Sequence, residues 1–307
     1  MNGKYQKFYN TVMEYYGEYG RYDLPWRPKT TKGGLVKNPT SYCVTVSELM
    51  LQQTQASRVI PFFNNWMKVF PSWSRLAQAP QRDVLAAWKG LGYNSRALRL
   101  HQLAKIIVRD YHGNVPKDYQ ALVSLPGIGP YTAGAILAFA YDIYTPMIET
   151  NIRRVFIHHF FTDRDDVTDR EILDVMDDMG EIPNPGEWYA ALMDYGATLP
   201  KIAGHNSNTK SRHYSKQSKF EGSNRQIRGR ILSILLTQQK ISKNALFKKL
   251  GKENERYQKI CDQLEREEFL VQTKSGVKLV WLHFSHLDTL HKHFNTQYKF
   301  FFVLYSW

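Results

Sequence analysis

The sequence predicts a mainly α-helical chain that ends in a smaller module of helices and a β-hairpin. Three observations carry that expectation. Across residues 1–200, apolar residues recur at helical spacing in segments long enough for helices. Gly, Pro and Asn punctuate those segments, and strand-like alternation is scarce. After "ALMDYGATLP" the composition turns basic and rich in serine and asparagine, and a second set of helical patterns follows.

Taken in chain order, one apolar pattern runs through Leu49, Ala56, Ile60 and Phe63. Pro61 interrupts it and is expected to start a fresh helix, because proline is best accommodated at a helix's first position. A second pattern runs from Ser95 through Leu98 and Leu103 to Ile107. "YQALVSL" supplies a short helix, Leu125–Gly129 a tight turn, and Pro130 or Tyr131 opens the next helix. Residues 201–230 hold Lys201, Lys210, Arg212, Lys216, Lys219, Arg225, Arg228 and Arg230 against a single acid, Glu221. Such a stretch reads as a solvated linker or, given the interleaved His213, Tyr214 and Phe220, as a contact that tracks a nucleic-acid backbone.

From Asn224 the pattern resembles a winged helix. "RQIRGRILSILLTQ", "SKNALFKKLG" and "ENERYQKICDQLEREEF" read as three helices, and "LVQTKSGVKLV" as a hairpin turning at Ser275-Gly276. A module of this kind reads DNA or serves dimerisation and packing, and the acidic "EREE" speaks against the first. The expected domains are therefore 1–204, a basic linker 205–223, and 224–307.

At 307 residues the chain can bury a full core, and 41 Lys/Arg against 28 Asp/Glu leave a formal net charge of +13. That balance points to a polyanionic partner, nucleic acid first; a merely basic surface is the plain alternative. The two cysteines, Cys43 and Cys261, exclude a disulfide framework and a cysteine-rich metal cluster. No apolar run reaches the roughly 18 residues a membrane span needs, and "MNGKYQKFYN" lacks a signal-peptide core. The expected setting is intracellular and soluble (cytoplasmic).

The most specific local pattern is "SLPGIGPYTAGAILAFA". Gly127 and Gly129 suit backbone geometry closed to other residues, and amides of the turn and of the following helix start can meet a phosphate oxygen. The small Ala133, Gly134, Ala135 and Ala138 let another element pack close behind. An ordinary helix–helix turn is the alternative.

This hairpin, followed some twenty residues later by an acid, resembles the helix-hairpin-helix (HhH-GPD) DNA glycosylase superfamily. The resemblance narrows on "LPWR" (Leu24–Arg27), "SELMLQQTQ" (Ser47–Gln55), "WKGLGYNSRA" (Trp88–Ala97), "LPGIGPYTAGAI" and "PMIETNIRRV", which fall in the order and spacing of MutY-type adenine glycosylases. It spans roughly residues 5–200 and implies a two-lobed helical fold and a monomer on duplex DNA that carries a mispaired adenine.

Each block also has its own reading. Glu48, among Val44, Val46, Leu49 and Met50, reads as a helix-start glutamate steadied by the macrodipole. Equally, it reads as a desolvated carboxyl able to protonate a purine leaving group, and the resemblance places the family's catalytic glutamate here. Gln52, Gln53 and Gln55 are expected on that same helix, either solvated or bonding base edges. The resemblance makes Leu51 and Gln53 a wedge for base flipping and Tyr93 a second, aromatic wedge. Within "LPWR", Arg27 is implied in DNA binding.

Tyr131 stands where bifunctional endonuclease III-type relatives carry a nucleophilic lysine; a phenol forms no Schiff base, so the expected reaction leaves the strand uncut. Core packing is its alternative. Glu149 replaces the family's aspartate beside the sugar of the flipped nucleotide, with Asn151 supporting the turn; an uncatalytic helix-start carboxylate is the other reading. Lys210 and Arg212 are expected on DNA.

Two departures from the family are visible. The four cysteines of its iron–sulfur cluster are missing from "MDYGATLPKIAGHNSNTKSRHY", so no cofactor and no metal is expected, and His205 and His213 lack a third ligand nearby. The domain that reads 8-oxoguanine also looks missing, although "HFSHLD" (His283–Asp288) resembles one of its loops. The sequence therefore expects a monofunctional adenine glycosylase of base-excision repair acting opposite guanine or 8-oxoguanine. A mismatch thymine glycosylase and a non-catalytic DNA-binding protein are the rivals.

Overall fold

A computed structural model describes residues 3–30, 36–37, 39–215, 219–238, 240–251 and 253–280. Contacts divide the chain into two units, Met1–Gly229 and Arg230–Trp307, later than the Asn224 boundary expected from composition.

The first unit is helical. It comprises α1 (Gly3–Tyr19), the short antiparallel strands β1 (Lys29–Thr30) and β2 (Val36–Lys37), α2 (Ser41–Leu51), α3 (Ala56–Val69), α4 (Trp73–Gln78) and α5 (Gln81–Trp88). Then come α6 (Ser95–Tyr111), α7 (Tyr119–Val123), α8 (Pro130–Tyr141), α9 (Thr150–Phe160), α10 (Asp169–Met179) and α11 (Pro185–Ala203). α2 packs on α3, α6 and α8, while α11 packs on α1, α8 and α9. One apolar cluster joins Phe8 and Val12 of α1, Ala135 of α8, Phe156 of α9, Met176 of α10 and Trp188 of α11. Elsewhere Trp66 and Trp88, both fully buried, meet edge to face at 5.4 Å.

Local chemistry explains the helix starts. Thr40 caps α2 by accepting from the Cys43 amide, and Thr168 with Glu171 forms a reciprocal capping box on α10. α2 is buried on nearly every side, from Tyr42 through Val44 to Met50, and carries Thr45, Ser47 and Glu48 into the interior with its apolar residues. Pro61 does not start a helix; it lies inside α3. The chain breaks earlier, at Gln52–Gln55, because a proline in a second turn removes one hydrogen bond and burial of Val59, Phe63 and Trp66 outweighs that loss.

The division between units falls within α12 (Asn224–Gln238). The second unit continues with β3 (Lys240–Ile241), α13 (Lys243–Leu250), α14 (Asn254–Arg266), β4 (Leu270–Thr273) and β5 (Gly276–Leu279). Its sheet is antiparallel in the order β3–β5–β4, over a core that includes Ile231, Leu235, Leu246, Leu264 and Val277. Thr273 pairs with Gly276, so the hairpin turns at Lys274-Ser275, one position before the expected Ser275-Gly276. The acidic end of α14 has a structural use: the Glu265 carboxylate accepts from the amide and side chain of Gln272 and pins β4. His283–Asp288, the aromatic tail and Lys216 lie outside the described residues.

Candidate active site

Glu48 lies in the last turn of α2, not at a helix start. The expected macrodipole support is therefore reversed, since the C-terminal end of a helix disfavours an anion. The residue is 4 % exposed, and burial pushes its carboxyl up to about 7, against the opposing hydrogen bond from Tyr131 and the nearby Arg27 guanidinium, with Glu149 adding to the rise. Tyr131, in the first turn of α8, donates its hydroxyl to Glu48 Oε2 at 2.7 Å. Burial first, then the charges of Glu48 and Glu149, hold that phenol well above its ordinary value. It is a donor, not a base.

Glu149 caps α9. Its Oε1 accepts from the amides of Asn151 at 2.6 Å and Ile152 at 2.8 Å, and its Oε2 from Asn151 Nδ2 at 3.3 Å. Burial raises this carboxyl too, while the Ile152 and Asn151 amides and the Arg154 and Arg153 charges pull the other way. Arg154 donates to Asn151 Oδ1 at 2.8 Å and to the Gly196 carbonyl at 2.6 Å. Gly196 of α11 must be glycine, because a Cβ there would stand 2.4 Å from the Asn151 carbonyl oxygen. That close approach explains the glycine in "MDYGAT".

Gln52, Gln53 and Gln55, expected on the helix of Glu48, lie beyond its last residue, Leu51. Gln52 ends α2, Gln53 takes a left-handed conformation (φ 53°), and Gln55 caps α3. Leu51 and Gln52 are half-buried, and Gln53 is exposed. Tyr93 is also left-handed (φ 49°), and its hydroxyl accepts from the Arg225 guanidinium. Such a conformation is costly outside glycine and persists only where surroundings impose it.

Arg96 imposes it. This guanidinium, 4 % exposed, donates to the carbonyls of Leu49, Met50 and Gln52 at the end of α2 and to Gly92 beside Tyr93. It also lies 5.3 Å from the Trp88 and Tyr93 ring centroids, and burial depresses it to about 10. One cation thus satisfies the open carbonyls of α2 and ties both turns together. Sequence reasoning missed it; the available signal was a charged residue inside the apolar stripe of α6.

In the hairpin, Asp118 caps α7, and Gly127 adopts φ 82° beside Arg99 and Leu49. Gly129 differs from expectation: its φ of −93° is open to any residue and a Cβ there would meet nothing. As the cap of α8 it offers no side-chain acceptor to the first-turn amides, so only a close ligand would require glycine there.

Three expected DNA contacts have partners within the protein. Arg27 is 6 % exposed and donates to Asp194 at 2.9 Å, inside the protein instead of on a phosphate-facing surface; Asp194 also binds Arg21. The Lys210 ammonium donates to the Thr162 carbonyl, and Arg212 pairs with Asp166. The stretch expected as linker is partly folded: Ser207–Lys210 is a 3-10 turn with Ser207 and Asn208 buried.

The iron–sulfur cluster of the resembled family does not fit these residues. The segment after α11 offers Asn, Ser, Lys and His, while Cys43 and Cys261 belong to different units. Among the described residues no group of three or more His, Cys, Asp or Glu could hold a metal ion. Nor is any described helix long and apolar enough to cross a membrane.

The profile of the HhH-GPD superfamily base excision DNA repair proteins matches residues 46–176, a span that contains Glu48, Tyr131 and Glu149. An adenine DNA glycosylase of Buchnera aphidicola subsp. Baizongia pistaciae is 36% identical over 193 residues, covering 62% of this chain and 52% of that one. One from Mycolicibacterium smegmatis is 35% identical over 236 residues, covering 71% of this chain and 77% of that one. The chain thus spans about half the length of the first relative and about three quarters of the second. A solved thermostable thymine-DNA glycosylase shares the fold, with a TM-score of 0.53 and 22% identity over 63% of this chain and 86% of that one. A profile that brackets both carboxyls and relatives of one kind around it place this chain among the MutY-type adenine DNA glycosylases of the HhH-GPD superfamily.

Proposed function

We propose that the chain is a monofunctional adenine DNA glycosylase that works without metal or iron–sulfur cluster. It binds intracellular duplex DNA as a monomer, flips out an adenine mispaired with guanine or 8-oxoguanine, and hydrolyses its N-glycosidic bond. The observation that carries this reading is the Tyr131–Glu48 hydrogen bond, with the carboxyl raised to about 7 by burial. A carboxylic acid poised there can give its proton to a ring nitrogen of adenine, so that the bond to C1′ breaks with adenine leaving neutral.

Positive charge then develops at C1′. Glu149, supported as an anion by backbone amides and Asn151, is the group suited to stabilise it until water adds to C1′ and leaves an abasic site. With Tyr131 committed to Glu48 and no lysine in its place, the chain has no Schiff-base nucleophile there and the strand stays intact. The wedge role falls to Leu51, Gln53 and Tyr93 on the turns held by Arg96, with Gln52 bonding base edges. Phosphate contacts fall to Gly127, Gly129 and the start of α8, and to Lys210 and Arg212 when they exchange an internal partner for a phosphate. Among its described residues the second unit has the end of α12, two further helices and a three-stranded antiparallel sheet, which supports the winged-helix reading and a further DNA contact.

Thymine offers no comparable purine nitrogen to protonate, so a raised Glu48 favours adenine over the thymine alternative. The test is incubation with duplexes carrying A:8-oxoG, A:G, G:T and A:T pairs, followed by alkali. Strand breaks at adenine in the first two, and none before alkali, are expected; breaks only at G:T would overturn the reading.

A further inference from the structure

Where the resembled family carries a cluster-bearing loop, this chain carries a segment fastened entirely by side chains and backbone. After α11 ends at Gly204, Asn206 caps the 3-10 turn by accepting from the Asn208 amide. The same Asn206 Oδ1 accepts from Arg154 Nε of α9 at 3.0 Å. Asn208, 4 % exposed, donates its Nδ2 to the Thr150 carbonyl, in the first turn of α9, at 2.8 Å. The far end of the segment is tied as well. The Val167 amide donates to the Lys210 carbonyl at 2.9 Å and the Arg212 amide to the Val167 carbonyl at 3.0 Å. Arg212–Asp166 and the Lys210–Thr162 contact reinforce that end.

These bonds run in an unbroken line to a carboxylate. Asn206 holds Arg154, Arg154 holds Asn151 Oδ1, and Asn151 holds both oxygens of Glu149. Gly196 lets α11 approach closely enough for its carbonyl to take a third bond from Arg154. Burial costs the Arg154 guanidinium some of its basicity, and the Glu149 charge restores part of it. A half-buried network of this kind is rigid only when each member is satisfied, so the loss of one acceptor is felt along the line.

We propose that Asn206–Arg212 is a metal-free clamp on the start of α9, and that Asn206 and Arg154 are positioning residues for Glu149. The clamp rests on the reading of Glu149 given above, and it supplies geometry, not chemistry. Glu149 is one methylene longer than aspartate, so its carboxylate has an extra torsion to restrain. The amides and Asn151 restrain it directly, and the clamp restrains them.

The experiment compares the full chain with Asn206→Ala, which removes the acceptor, and Asn206→Asp, which keeps it. Three quantities are read: single-turnover adenine release, affinity for a duplex with 2′-fluoro-2′-deoxyadenosine opposite 8-oxoguanine, and amide hydrogen exchange at Asn151 and Ile152. For Asn206→Ala, release should fall about 10- to 100-fold with affinity within about threefold. Exchange at the two amides should quicken by about tenfold, and Asn206→Asp should restore both. Unchanged exchange in Asn206→Ala, a rate loss that merely tracks lost affinity, or a folded Asn206→Asp that rescues neither would overturn the clamp. If Asn206→Ala does not fold, Asn206→Ser, with a shorter acceptor, is read in the same way. A wild-type chain that releases no adenine would sink the glycosylase reading alone, because exchange still decides the clamp.

Discussion

Glu48 and Glu149 are the same amino acid in opposite settings. Glu48 lies in the last turn of a helix buried on nearly every side and receives one hydrogen bond, from a phenol. Glu149 stands before the first turn of its helix, partly open to solvent, and receives two backbone amides and an amide side chain. The first setting removes water and adds an adverse dipole, so the neutral acid is favoured. The second puts N–H donors and the favourable end of a dipole on the carboxylate, so the anion is supported despite burial. On the proposed reading, environment divides the work: Glu48 on α2 serves as the acid, and Glu149 before α9 has the donors that would support an anion. Helix-cap and catalytic roles for Glu149 are compatible, since capping is what orients its oxygens.

The comparison breaks most visibly if the acid is removed. Glu48→Gln should lower single-turnover adenine release by at least about 10³-fold while affinity for the mispaired duplex stays within a few-fold. Release near the wild-type rate would take the acid role away from Glu48.

Removing the anion should cost less. Glu149→Gln keeps an oxygen for the cap but loses the charge, and release should drop about 10²-fold or more; Glu149→Asp should not exceed wild type. A brisk Glu149→Gln enzyme would leave the residue as a cap alone.

The pH dependence sharpens the contrast. With Glu48 at about 7, release should decline about tenfold per pH unit above that value as the acid form disappears, and should fall again at low pH as the raised Glu149 carboxyl takes up its proton. Stability follows the same group. Its folded value lies above the ordinary 4.5 of a glutamate, so the folded state binds the proton more tightly and loses stability as pH rises from about 4.5 through about 7. Glu48→Gln should therefore stabilise the protein at pH 8, by up to about 3 kcal/mol, and progressively less toward pH 4.5, measured by urea unfolding. A pH-independent difference would contradict the raised acid.

The smallest effect concerns the basic segment. Replacing Lys210, Arg212, Lys216 and Lys219 with alanine should reduce the salt slope of DNA binding by about 1 to 2, less than the roughly 0.9 per cation expected of free contacts. Lys210 and Arg212 already have partners inside the protein, which explains the discount. An unchanged slope would confine Lys210 and Arg212 to the clamp and take the basic segment out of DNA binding.

What could be read in advance follows the range of the interactions. The Gly127 turn, Pro130 opening α8 and Glu149 at the start of α9 were all legible, because each depends on residues within one turn. The location of Glu48 within α2 was not. "SELMLQQTQ" has no glycine or proline to mark a helix end, and nothing local says that Arg96 will collect the α2 carbonyls and end the helix at Leu51. Arg27 was misplaced for the same reason: its partner Asp194 lies 167 residues away.

The sequence by itself determined the helical class, the hairpin, the tyrosine in place of lysine, and a cysteine inventory too small for the family's cluster. These are matters of residue type and short-range hydrogen bonding. Tertiary structure alone decided how different the two carboxyl settings are, because Tyr131 reaches Glu48 across 83 residues and α2 is enclosed by α3, α6 and α8. It alone also turned an asparagine-rich stretch into a fastening for α9, through an Asn208–Thr150 bond spanning 58 residues. Desolvation and long-range partners set those outcomes, and neither is a property of any segment read in isolation.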